Sequence, residues 1–366
     1  MRQYFVVGTY TEPILFGTGQ VFQGQGKGLY LCSFEEGAVH VEDIVPLRNP
    51  SYFCLDEKKG KIYAVNETKE FQGLPGGGIT EITYSRGNKL NVVRSLNTGG
   101  ADPCHIARSP DGTFIAVANF AGGSVATFPL SEAGEILPGR QLYKHVGSSI
   151  NPVRQQAPHP HSIIFDSDNH MIVPDLGTDQ LFIYPCVKGG ITTEGLQNLS
   201  LPGGNGPRFG QYTADECHFY LINELASSVT HFINRSGTLH RLGTVGTLPA
   251  GEGTENICSD LHLTPDGQYL YASNRGHDSL TSFRVDPQSG ELSLIEQIPC
   301  GGKTPRNFCI EPRGGYLLVG NQESNSITVF SIGKDGKLTE KNHIAFPSPV
   351  CIQFLESTTA DTATPW

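Results

Sequence analysis

Short apolar runs whose residues alternate inward and outward, separated by polar turns, recur along this chain in a repeated unit. The segments "NPSYFCLDEKKGKIYAVNE" (49–67), "DPCHIARSPDGTFIAVANF" (102–120), "GPRFGQYTADECHFYLINE" (206–224), "CSDLHLTPDGQYLYASNR" (258–275) and "TPRNFCIEPRGGYLLVGNQ" (304–322) follow one design. Each reads as an alternating strand, a polar turn that is PDG in its clearest copies, a second apolar strand, and an Asn near its end. "HPHSIIFDSDNHMIVPDL" (159–176) is a further copy, one residue shorter between its Pro and its closing Asp175. After each closing residue come a loop, a strand of the "SVATF", "QLFIY", "SVTHF", "SLTSF" or "SITVF" kind, a Gly-containing turn and a weaker fourth strand.

Taking Pro50, Pro103, Pro160, Pro207, Cys258, Pro305 and Pro349 as starting points gives seven units, spaced 44 to 57 residues apart. Four short strands per unit predict blades, twisted antiparallel sheets that bury their faces only against neighbouring blades. The expected fold is all-β: a seven-bladed β-propeller forming one domain over residues 1–355. The seventh unit supplies only the inner strand "SPVCIQF" (348–354), whereas the N-terminal "QYFVVGTY" and "GLYLCSF" lack an inner partner. The two termini are therefore expected to share one blade and close the ring, leaving no open sheet edge around it. The polar tail 356–366 is expected to fray.

In such a blade the first strand descends and the second returns, so residues beside each starting Pro and each closing Asn share one end of the ring. That end collects Asn66, Glu67, His105, His161, Arg208, Glu224, Asp260, Arg275, Arg306 and Asn307, while the PDG turns lie at the other. Two insertions, 11–28 and 145–156, fall at the same end, placed to cover the channel mouth. Their glycines do not make a nucleotide site, because no helical period follows to face a phosphate.

Composition narrows the function. Forty-four Gly and 24 Pro in 366 residues, with 37% hydrophobic and 17% charged content, suit a turn-rich globular protein. A net charge of −10 without a Lys/Arg block argues against nucleic acid or an anionic membrane as partner and leaves a small molecule. The nine cysteines are odd in number, dispersed and without CxxC, and Cys54 and Cys309 occupy apolar strand positions, which suits a reducing compartment. The N-terminal apolar run is too short for a signal peptide and no window approaches a membrane span. The expectation is a cytoplasmic protein, a monomer or a weak homo-oligomer.

The ionisable residues at the shared end each admit two readings. His161 is placed to act as a general base or a hydrogen-bond donor, or to tie blade loops together. His159 shares its side of the extended segment and reads as support. Glu224 ends a strong apolar strand, where desolvation is expected to raise its pKa and suit it to proton transfer. Its alternative is a salt bridge. Arg208, Arg275 and Arg306 come from three successive blades and suit an anionic or oxyanion-developing substrate, or pair locally with Asp260 or Glu255. His105, Asp175 or Glu224 could converge, but no spacing has zinc-motif specificity, so neither a metal nor another cofactor is expected.

Taken in order, "APHPHS", "GPRF", "INEL", "SNRGHDS" and "TPRNF" resemble the seven-bladed propeller lactonase family, which includes bacterial 6-phosphogluconolactonases and fungal muconate lactonizing enzymes. The resemblance spans about residues 3 to 354. It implies a site of histidine, glutamate and arginine at the channel mouth without an obligatory metal. On the matching motifs it implies His161, Arg208, Glu224, Arg275 and Arg306; of these His161, Glu224 and Arg208 are expected to be catalytic, and Arg275 and Arg306, with His105, Asn307 and His159 from the same end of the ring, to bind substrate. The implied activity is hydrolysis of an anionic sugar lactone such as 6-phosphogluconolactone. Reversible muconate ring closure is a second reading, and a non-catalytic protein-binding propeller is a third. The two insertions mark where the chain departs from the shorter phosphogluconolactonases.

Overall fold

Seven antiparallel sheets stand around a central axis in a computed structural model that describes residues 2–16, 19–85, 89–235, 237–249, 251 and 255–355. The inner strands, in ring order, are Phe53–Asp56, Pro103–Arg108, Ile164–Phe165, Pro207–Tyr212, Ile257–Leu263, Pro305–Ile310 and Pro349–Phe354. No α-helix occurs among the described residues. The expected terminal closure is present. The C-terminal strand Pro349–Phe354 pairs with the N-terminal Gln3–Thr9, which pairs with Gly28–Glu35 and then Ala38–Pro46, so one blade is built from both ends. The tail 356–366 lies outside the described residues.

The apolar alternation buries one cluster between each pair of neighbouring blades, giving a core that runs around the ring. Phe5, Val7, Tyr30 and Ile352 of the closing blade pack on Leu318, Ile327 and Val329 of the blade before it. Val6, Leu31 and Cys351 on the other face pack on Phe53, Ile62 and Ile82 of the blade after it. All nine cysteines are free thiols, and most sit in these interfaces as small apolar groups.

The repeated Asn has a structural cause. At the end of the second strand in five blades it is buried and bonds to hydroxyls on the third: Asn223 Nδ2 donates to Ser228 Oγ (3.0 Å) and Thr230 Oγ1 (2.8 Å), and Asn274 and Asn321 do the same with Ser279, Thr281, Ser326 and Thr328. These bonds satisfy the buried amide donors where the sheet turns over, while Asn223 Oδ1 and Asn321 Oδ1 are buried without a hydrogen-bond partner. In the blade with the shortest inner strand Asp175 replaces Asn and accepts from the backbone N–H of His159, Gly177 and Thr178.

Candidate active site

The inner strands carry the feature that builds the site. Pro207 pairs with Asn223 and Phe209 with Ile222, leaving Arg208 as an extra, unpaired residue. Pro305 pairs with Asn321 and Asn307 with Gly320, leaving Arg306 in the same position. Cys104 occupies it between Pro103 and His105. A β-bulge turns its extra side chain away from the pleat. Here the bulged residues Cys104, Arg208 and Arg306 line one small cavity on the axis with Ser51, His161 and Val350. That cavity measures about 20 Å³, room for little more than a water.

Beside it lies a carboxylate held by three guanidinium groups. Arg208 Nε donates to Glu224 Oε2 at 2.9 Å and Arg275 Nη2 donates to the same oxygen at 2.8 Å. Arg154 Nη2 donates to Oε1 at 2.5 Å. His161 Nε2 stands 3.9 Å from Oε2. Arg208 also donates to the Ser259 carbonyl, on the inner strand of the following blade, and Arg275 to the Cys258 carbonyl, on the inner strand of its own blade. The expectation of a raised Glu224 pKa is reversed. Burial alone would push the carboxyl up, but the positive fields of Arg154, Arg275 and Arg208 hold it well below the usual carboxylate range. His161 is driven well below the ordinary histidine value, by burial first and then by Arg208, with Glu224 opposing. The pair is thus a carboxylate facing a neutral imidazole.

The remaining predicted residues divide. Arg306 reaches the mouth, 4.0 Å from Glu67 Oε1, with its guanidinium over the rings of Tyr10 (5.1 Å) and Phe16 (5.3 Å). His159 stacks on Phe120 (4.4 Å) with Nδ1 3.0 Å from the Phe120 carbonyl. His105 lines the axial cavity, stacks on Tyr52 at 4.0 Å and accepts from the Ile163 N–H, and burial lowers its pKa to about 3. Asn307 also lines it, but its Nδ2 donates to Asp260 Oδ2 (2.5 Å) and its Oδ1 accepts from the Ile352 N–H (2.7 Å), so its amide ties three blades together. Asp260 is engaged by Asn307 and, at 3.0 Å, by His262, while Arg208 and Arg275 pair with Glu224 and Arg306 with Glu67.

Both insertions cover the mouth. From the first, Ile14, Phe16 and Phe22 cluster with Tyr10 and Val350 above Arg306, and Tyr10 donates to Glu67 Oε2 at 2.9 Å. From the second comes Arg154, which motif reading passed over because it lies in a loop outside the repeat. Its only sequence signal is a cation in an insertion aimed at the mouth. Among the described residues no cluster of three or more His, Cys, Asp or Glu is arranged to hold a metal ion. Four guanidinium groups, of Arg154, Arg208, Arg275 and Arg306, stand against three carboxylates, Glu224, Glu67 and Asp260, the last lining the axial cavity with Arg208 and Arg306. The mouth therefore carries a local positive excess in a chain of net charge −10. Such a site favours an anion and stabilises negative charge developing on oxygen.

Known proteins agree with this architecture. The family model described as lactonase, 7-bladed beta-propeller, matches residues 4–354. A 6-phosphogluconolactonase of Bacillus subtilis is 29% identical over 357 residues, covering 95% of this chain and 97% of that protein. Another, from Formosa agariphila, is 30% identical and covers 83% and 88%. The solved structure of a periplasmic gluconolactonase from Pseudomonas aeruginosa superposes with a TM-score of 0.88 at 29% identity, covering 97% and 99%.

Proposed function

Because the chain belongs to the lactonase family of seven-bladed β-propellers, we propose that its channel mouth hydrolyses a sugar lactone, with 6-phosphogluconolactone as substrate and 6-phosphogluconate as product. The observation that carries this reading is the neutral His161 beside a carboxylate surrounded by arginines. Glu224 is a poor base, since three cations occupy its oxygens and hold it ionised. His161 keeps an unprotonated imidazole and is assigned the base.

In this mechanism His161 takes a proton from water as the water oxygen bonds to the lactone carbonyl carbon. Arg208, with its side chain at the bulge, stabilises the oxyanion. The tetrahedral intermediate collapses by breaking the bond to the ring oxygen, which receives the proton from His161. Glu224 balances the arginines and stabilises the imidazolium that forms transiently. A bound anionic substrate would offset the field of the arginines and raise the basicity of His161 towards the working pH. The free thiols support a reducing compartment, the cytoplasm.

Initial rates of acid release on 6-phosphogluconolactone and glucono-δ-lactone, corrected for spontaneous opening, test the proposal beside an absorbance assay on muconates. Enzyme-dependent opening of a lactone is expected. Background rates on both lactones together with turnover of a muconate would replace hydrolysis by ring closure.

A further inference from the structure

The three arginines on Glu224 are not equivalent. Arg208 and Arg275 stand on the blade framework, and each has a backbone carbonyl as a second acceptor. Arg154 stands on the loop 145–156 with Glu224 Oε1 as its ion-pair partner, and its Nε, like that of Arg275, is buried without a hydrogen-bond partner. The loop is held at its base. Ser149 Oγ (2.6 Å) and Gln155 Nε2 (2.7 Å) donate to Asp179, and Gln155 Nε2 also donates to the Leu176 carbonyl at 2.9 Å. Asn151 Oδ1 accepts from the N–H groups of Val153 and Arg154, both at 3.0 Å. Asp179 accepts in addition from Gly204 (2.7 Å) and Gly206 (2.6 Å), in the turn that leads into Arg208. The backbone of Arg154 is thereby positioned over the mouth, while its side chain is the least constrained of the three.

Resting on the lactonase reading, we infer that Arg154 is the specificity-determining residue for an anionic group remote from the lactone carbonyl, exchanging Glu224 for that anion when substrate enters. Two observations carry the inference. The axial cavity is lined by His161 and Arg208 but not by Arg154, so Arg154 stands beside the groups assigned to the carbonyl, joined to them through Glu224, rather than among them. Arg154 can yield without breaking a backbone bond, and its unpartnered Nε and a terminal nitrogen can then form a fork that matches a phosphate. Arg208 and Arg275 remain on Glu224, so its charge stays compensated after the exchange.

The test compares wild type, Arg154→Gln and Arg154→Lys by the ratio of kcat/KM on 6-phosphogluconolactone to that on glucono-δ-lactone. Loss of one charge-assisted contact should lower this ratio by about 10- to 100-fold in the Gln variant, carried by KM, with partial recovery in the Lys variant. An unchanged ratio in the Gln variant, with wild type active, overturns the role of Arg154. A second readout is the thermal shift produced by inorganic phosphate, expected in wild type and strongly reduced in Arg154→Gln. If wild type opens neither lactone, the proposed function fails, and the phosphate shift still decides whether Arg154 holds an anion. Equal shifts in both proteins overturn the inference.

Discussion

At the scale of single residues the site is a problem of charge compensation. Glu224 is about 1% exposed and meets three guanidinium groups. Removing its charge leaves buried cations unmatched, so Glu224→Gln is expected to lower the unfolding free energy by about 3 to 5 kcal/mol, measured by denaturant titration. His161, as the proposed base, is expected to bear on rate rather than stability. His161→Ala should reduce kcat on the lactone by about 10² to 10⁴-fold, since general base assistance is worth that much. The sign of the pH dependence follows from its lowered pKa. The neutral form is the base, and activity is lost only as pH falls through the depressed value, below the ordinary histidine pKa of about 6.5. A lactonase kcat/KM, which reports the free enzyme, with no histidine step between about pH 6 and 8 is therefore expected, and a sigmoid loss of kcat/KM centred near 6.5 contradicts the environment assigned to His161.

At the scale of elements, the bulged inner strand is the device that converts a repeat into a site. Its location was legible: the Pro–Arg pairs at 207–208 and 305–306 mark the blade starts, and topology sends them to the end shared with Glu224 and Arg275. What alternation alone did not indicate was the bulge, because one unpaired residue changes no hydrophobic pattern. Nor did it indicate the sign of the Glu224 shift, which depends on how many arginines converge, or the part played by Arg154, whose placement follows from loop contacts to Asp179. The insertion at 11–28 likewise hid a small hairpin, Pro13–Leu15 with Val21–Gln23, which brings its aromatics over Arg306. Loop packing also makes Gly177 critical. A Cβ there would stand 1.8 Å from the Ala157 carbonyl oxygen and 2.8 Å from the His159 nitrogen. Gly177→Ala is expected to destabilise by about 1 to 3 kcal/mol in the same titration, as overpacking does, and to lower lactonase activity by displacing the segment that carries His161.

At the scale of the molecule, the ring gathers residues distant along the chain around one opening, and it does so only while closed. Closure was legible because the C-terminal "SPVCIQF" lacked outer strands and the N-terminal runs lacked an inner one. Phe5, fully buried, lies at that junction against Phe354, with ring centroids 5.4 Å apart. Phe5→Ala should reduce unfolding stability by about 3 to 5 kcal/mol, and a loss below about 1 kcal/mol would show that the terminal pairing contributes little to the ring. The opposite end of the axis holds a larger cavity of about 530 Å³ lined by Gln211, His262, Asn307 and Gln353. Size alone would favour it as a binding site, but the convergent arginines and the neutral histidine are at the other end. The most direct test is a crystal structure with 6-phosphogluconate bound. The product carboxylate should lie within hydrogen-bond distance of His161 Nε2 and Arg208, whereas product seated in the larger cavity, away from His161, would contradict the assignment of the active end.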